Sequence, residues 1–146
     1  MFLLLLLSGM SQAEPIWLMV DEAANESELS SAVKPNDAIT PLAIEITLAT
    51  LATLDRDSEV VLSIGGGVEL SFVIENVTHY PNGDIGWSAA EESNGYLQTF
   101  SITAGATDLV ASLMMDDKSY EVVAKRQPHR ESYIGWLYRE AYKTPK

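Results

Sequence analysis

Turn-forming residues recur at short intervals between Glu59 and Lys125, and this spacing constrains the fold more than any other feature of the chain. The signals are Gly65-Gly66-Gly67, Pro81-Asn82-Gly83-Asp84, Asn94-Gly95, Gly105 and Asp116-Asp117-Lys118-Ser119. Between them lie runs too short for stable helices, rich in β-branched and aromatic residues and mostly alternating in polarity. That pattern is the mark of an antiparallel meander joined by hairpins.

The alternation assigns faces. Val60, Leu62 and Ile64 share one side of a strand. Beyond the glycine triplet, Val68, Leu70, Phe72 and Ile74 share the next, opposite Glu69, Ser71, Val73 and Glu75. Successive side chains on a strand point to opposite faces, so one side is buried and the other wet. Further strands are expected at 85–88, at Tyr96–Thr103 with Phe100 and Ile102 inward, at Asp108–Met115 and at Tyr120–Lys125. Gln127-Pro128 then breaks the pattern. Tyr133–Tyr142 reads as a strand or a short terminal helix, and Leu42–Leu54 is compatible with either state. The fold class is all-β: a small antiparallel meander of six to eight strands forming a barrel or sandwich. One domain and one core suit 146 residues.

The chain divides into three parts. Residues 1–13 read as a signal peptide: Phe2–Leu7 is nearly pure leucine, and Ser11 and Ala13 stand three and one before a cut after Ala13. The run carries no Lys or Arg ahead of it and is far too short to span a bilayer as a helix. The protein is therefore expected to be exported, periplasmic or extracellular. Residues 14–41 are acidic, rich in Ser and Ala, and interrupted by Pro15, Pro35 and Pro41, which reads as a loosely ordered arm or linker; Ser27–Val33 suits a helical turn. Residues 42–146 form the β-domain. With no cysteine, the core must hold without disulfides.

Residues 14–117 carry a net charge of −16 and residues 118–146 a net charge of +4, giving −12 overall. An acidic body argues against nucleic acid and anionic membrane surfaces as partners. The basic tail is expected to pack against it by local attraction.

Chemistry-bearing residues are few. His79 and His129 are the only histidines, neither belongs to an H-E-x-x-H helix, and no G-x-S-x-G elbow occurs. Glu91-Glu92 and Asp116-Asp117 fall at expected turns, as solvated pairs. Asp55-Arg56-Asp57-Ser58-Glu59 lacks the glycine and the terminal glutamate of a calcium loop. No catalytic residue, metal ligand or cofactor is assigned. The remaining candidates are aromatic: Trp87, Trp136, Tyr133 and Tyr138, with Ile-Gly-Trp occurring twice, at 85–87 and 134–136. Core packing, with glycine making room for the indole, is the ordinary explanation. The other is an exposed aromatic platform for a partner or ligand.

The strands Val60–Ile64 and Val68–Asn76 around their glycine turn, then His79-Tyr80-Pro81-Asn82-Gly83-Asp84 leading to Gly86-Trp87, Thr103-Ala104-Gly105, Leu109–Met115 and Tyr120–Val123, carry a resemblance. Together Glu59–Lys125 resembles the β-rich, pro-domain-like N-terminal region of secreted bacterial zinc metallopeptidases, without the catalytic domain. The resemblance implies a non-enzymatic module that binds another protein, a secreted peptidase, as its inhibitor or folding helper. The competing expectation is a ligand-binding β-barrel, with Trp87 and Trp136 lining a cavity for an apolar molecule or sugar.

Overall fold

A computed structural model describes residues 14–32, 38–93, 95–115 and 117–140. Residues 1–13, on which the expected signal peptide falls, and 141–146 lie outside it. Ten strands form among these residues: β1 (Leu18–Met19), β2 (Ala38–Thr47), β3 (Glu59–Ser63), β4 (Glu69–Val73), β5 (Asn76–His79), β6 (Ile85–Ser93), β7 (Tyr96–Ala104), β8 (Asp108–Met114), β9 (Ser119–Gln127) and β10 (Ser132–Glu140). Two short α-helices, α1 (Glu26–Leu29) and α2 (Leu48–Ala52), and a 3-10 turn at Ala23–Asn25 complete the described elements. The expected all-β antiparallel fold is observed, with ten strands among the described residues against the six to eight expected.

Eight strands make one sheet in the order β1-β2-β10-β9-β8-β7-β6-β5, and β3 pairs with β4 as a separate hairpin. Every ladder is antiparallel. The turn signals fall where hairpins need them. Gly65, Gly66 and Gly67 all have positive φ and join β3 to β4, where Ile64 N–H donates to the Val68 carbonyl at 3.1 Å. Gly83 and Gly95 take positive φ in the β5–β6 and β6–β7 turns. Tyr133–Tyr142 resolves in favour of a strand across its described part. Leu42–Leu54 contains both candidates: β2 runs to Thr47, whose side chain caps α2 by accepting from Thr50 N–H.

One segment read as a single strand is two. Val68–Asn76 changes partner at adjacent residues: Ile74 N–H donates to Ser58 O in the hairpin, and Glu75 N–H donates to Ser88 O in the large sheet, at 2.8 and 2.9 Å. The strand therefore switches sheets at this corner, the device by which sandwiches turn.

The main core lies between the large sheet and the hairpin. Ile44 and Ile46 on β2, Tyr133 and Leu137 on β10, Val122 and Ala124 on β9, Leu109 and Leu113 on β8, Phe100 and Ile102 on β7, and Trp87 on β6 project from one sheet face. Val60, Leu62, Phe72 and Ile74 meet them from the hairpin. Phe72 stacks on Phe100 with centroids 5.8 Å apart. Burying side chains of this size contributes about 1.5–3 kcal/mol each.

The expectation of a loosely ordered arm at 14–41 is corrected for its described part. Pro15 forms a parallel bridge to Val61, and Ile16 N–H donates to the Val61 carbonyl at 3.0 Å. Trp17 is 1 % exposed, meets Phe100 edge-on at 6.4 Å, and donates its indole N–H to Ser63 O at 2.7 Å. β1 then pairs with β2. Residues 15–19 thus join the β3 edge of the hairpin to the β2 edge of the sheet. Residues 20–32 cross the sheet's other face, where Leu29 and Ala32 cover Ala43, Ile134 and Trp136 as a second, smaller cluster. Acidic composition marks this segment's solvent side; its apolar minority decides where it docks.

Candidate functional site

The aromatic platform does not assemble. Trp87, Trp136 and Tyr133 are all buried, and Tyr138 is half-buried. Trp87 belongs to the main core and Trp136 to the small cluster on the opposite face of the sheet, so the two line no common cavity. Each buried indole donates to a distant backbone carbonyl: Trp87 to Leu54 at 2.9 Å and Trp136 to Ala32 at 3.2 Å, as Trp17 does to Ser63. Tyr133 Oη donates to Gly105 O at 2.5 Å. These polar tips fasten connecting segments to the sheet, each bond contributing about 1 kcal/mol net.

The glycines beside the tryptophans do not make room for indoles either. Adjacent strand residues face opposite ways, so a glycine cannot relieve its neighbour's side chain. Gly86 lies beneath the Tyr80 ring. A Cβ on Gly135 would overlap the Val123 carbonyl and the Ala124 backbone of β9, so Gly135 permits close strand approach.

The histidines stand apart from this. His79 is exposed at the end of β5. His129 lines a shallow cleft of about 250 Å³ with Ser27, Glu28, Gln127, Pro128 and Arg130. The cleft's cation is committed: Arg130 donates to Asn25 Oδ1 at 2.9 Å and pairs with Glu28 at 3.4 Å and Glu45 at 3.3 Å, while Ser132 Oγ donates to Glu45 at 2.6 Å. Lys125 likewise pairs with Asp108. These contacts dock part of the basic C-terminal region on the acidic body, as its charge suggested. Among the described residues no group of three or more His, Asp or Glu side chains is placed to hold a metal ion. Asp55–Glu59 is a tight turn, with Asp57 at φ 73° and its N–H donating to Ile74 O. Glu91-Glu92 lies within β6 opposite Gln98 and Leu97, not at a turn. Asp117 lies in the β8–β9 turn; Asp116 is outside the described residues.

Two half-buried groups adjoin on the outer face of the sheet. Glu121 and Tyr138 are cross-strand partners, and Ser112 Oγ donates to Glu121 at 2.6 Å. Burial first, then the nearby Glu140 carboxylate, pushes the Glu121 carboxyl above the ordinary range, while the Ser112 hydrogen bond opposes this. Burial, Glu121 and Glu140 also raise the Tyr138 phenol.

The feature left open is a strand edge. Val61 O and Ser63 O point away from the β3–β4 ladder, since both accept from the N-terminal segment. Their register partners are Ser71 and Glu69. Backbone groups alternate in direction along an antiparallel strand, so Glu69, Ser71 and Val73 direct N–H and C=O away from β3. Among the described residues these groups have no backbone partner, and all three residues are exposed, Val73 by 53 %. No motif search finds such an edge; it emerges once β4 is known to leave the sheet at Ile74. No protein-family model, curated protein or solved structure matches this chain.

Proposed function

We propose that this protein is an exported, non-enzymatic protein-binding module that engages its partner by strand addition, and that the partner is a secreted metallopeptidase which it inhibits or helps to fold. The observation carrying this reading is the β4 edge, which is unpaired among the described residues. An edge strand with free N–H and C=O groups is a template for an extended segment of another chain. On its other edge the same hairpin already accepts the protein's own Pro15–Trp17, through Ile16 N–H to Val61 O and the Trp17 indole to Ser63 O, which supports this reading.

Two features of the sequence support the biological setting. The leucine run at Phe2–Leu7, followed by Ser11 and Ala13, suits export. The resemblance of Glu59–Lys125 to a peptidase pro-domain-like region supplies the partner class, because peptidase clefts bind extended strands. The test is affinity capture from the native secretome, with an activity assay on any co-secreted metallopeptidase. Capture of such an enzyme with altered activity or altered refolding yield is the expected result. Recovery of no peptidase, with no effect on a co-secreted one, contradicts the proposal.

A further inference from the structure

Resting on the reading of β4 as a docking edge, we infer that its occupant is an extended cationic segment rather than a second copy of this chain. Residues 55–75 carry five acids, Asp55, Asp57, Glu59, Glu69 and Glu75, against one base, Arg56. Glu69 sits within the edge, while Glu75 lies two residues beyond the strand, past the corner at which its N–H bonds to Ser88 O, and Glu59 lies on β3 opposite Val73. A strand laid on β4 therefore meets the Glu69 carboxylate at one end of the edge, followed by Ser71 and Val73, on a chain of net charge −12.

Self-pairing meets the opposite balance. Two β4 strands paired antiparallel about Ser71 set Glu69 of one copy opposite Val73 of the other, so no opposite-charge pair forms. Each chain carries a net charge of −12, so two copies repel. A segment with Lys or Arg opposite Glu69, and small or β-branched residues beyond it, forms an opposite-charge pair there, and a cation at each end serves either strand direction. Several natural defences of an edge are missing here: β4 contains no Pro and no Lys.

The experiment uses two blocked heptapeptides, alternating Val and Thr, one with Lys at each end and one with Glu, and measures binding to the full chain by calorimetry at low and high salt. Binding of the Lys peptide alone, weakened by salt, is expected. Ser71→Pro removes only an outward-pointing donor and should weaken binding about tenfold, the equivalent of one backbone hydrogen bond with its register. Equal binding of both peptides, binding of neither, or undiminished binding by a folded Ser71→Pro chain overturns the inference. So does concentration-dependent dimerisation by sedimentation that Ser71→Pro abolishes, since the occupant would then be a second copy. Where circular dichroism shows Ser71→Pro unfolded, the Glu69→Lys, Glu75→Lys double variant decides: preference should switch to the Glu peptide, and retained preference for Lys contradicts the inference. Failure here is separable from failure of the broader reading. Equal capture of a peptidase by wild-type and folded Ser71→Pro chains refutes the edge and leaves the protein-binding reading standing.

Discussion

The two edges of the β3–β4 hairpin have the same length and the same backbone chemistry, yet one is partly covered by the chain's own N-terminal segment and the other has no backbone partner among the described residues. On β3, Val61 O accepts from Ile16 N–H and Ser63 O accepts from the Trp17 indole. On β4, Glu69, Ser71 and Val73 have no such partners among the described residues. The difference follows from side-chain anchoring. Trp17 enters the core beside Phe100 and carries the backbone of Pro15 and Ile16 to the edge with it. The N-terminal segment is thus held on β3 by a buried aromatic as much as by its one main-chain bond. The outer face of the large sheet shows the same contrast. Residues 20–32 cover it around Trp136, while Val110 and Met114 on β8 are more than half exposed.

The largest effect is expected from breaking that cover. Trp17→Ala should cost about 3–5 kcal/mol, the usual range for truncating a buried aromatic. Urea unfolding measures it, and a loss below about 1 kcal/mol would mean that Trp17 does not hold the edge. The next largest contrast comes from proline at neighbouring positions of β4. Leu70 faces β3 in the ladder, so Leu70→Pro removes a sheet hydrogen bond, loses core packing and should cost about 3 kcal/mol or more. Ser71→Pro should cost under about 1 kcal/mol, because its N–H points away. Similar losses at both positions would erase the distinction between inward and outward groups.

Smaller effects probe the covered face. Arg130→Ala should cost about 1 kcal/mol, since its ion pairs with Glu28 and Glu45 are partly solvent-exposed. It should also speed proteolysis within residues 20–32; an unchanged cleavage rate would show that the apolar cluster alone docks that segment. Glu121 lies where the covered half gives way to the open one. Its pKa is raised in the fold, so the protonated form is the one favoured. That contribution is complete below the ordinary glutamate range and is lost as pH rises through the raised value. Glu121→Gln should therefore raise the thermal midpoint at neutral pH and change it less at strongly acidic pH, and the reverse order would contradict the burial seen here.

Much of this was legible in the sequence. The glycine triplet, Pro81–Asp84, Asn94-Gly95 and Gly105 located hairpins because positive φ and turn chemistry are local properties. Phe72, Phe100 and Ile102 were assigned inward because alternation is local too, and all are buried. The misreadings needed information from across the chain. Ile16-Trp17-Leu18-Met19-Val20 is an apolar run inside an acidic segment, but nothing local says that Ser63 and Val61 wait for it. Glu91-Glu92 resembles a turn by composition and is carried into β6 by pairing with Gln98 and Leu97. The two Ile-Gly-Trp copies are identical in sequence and project tryptophans to opposite faces, because sheet register rather than the tripeptide decides the face. The β4 edge was invisible for the same reason: an unpaired edge is defined by strands that are not beside it.

Residue-resolved amide hydrogen exchange on the folded chain tests the central claim most directly. In the free protein the amides of Leu70 and Phe72 should be protected by the β3 ladder, while those of Glu69, Ser71 and Val73 exchange much faster. Addition of the Lys-ended peptide should slow Ser71 and its two outward neighbours and leave the inward pair unchanged. Alternating protection that the peptide evens out is the result this account requires. Uniform protection along 69–73 in the free chain would mean that the edge is already occupied, and would contradict it.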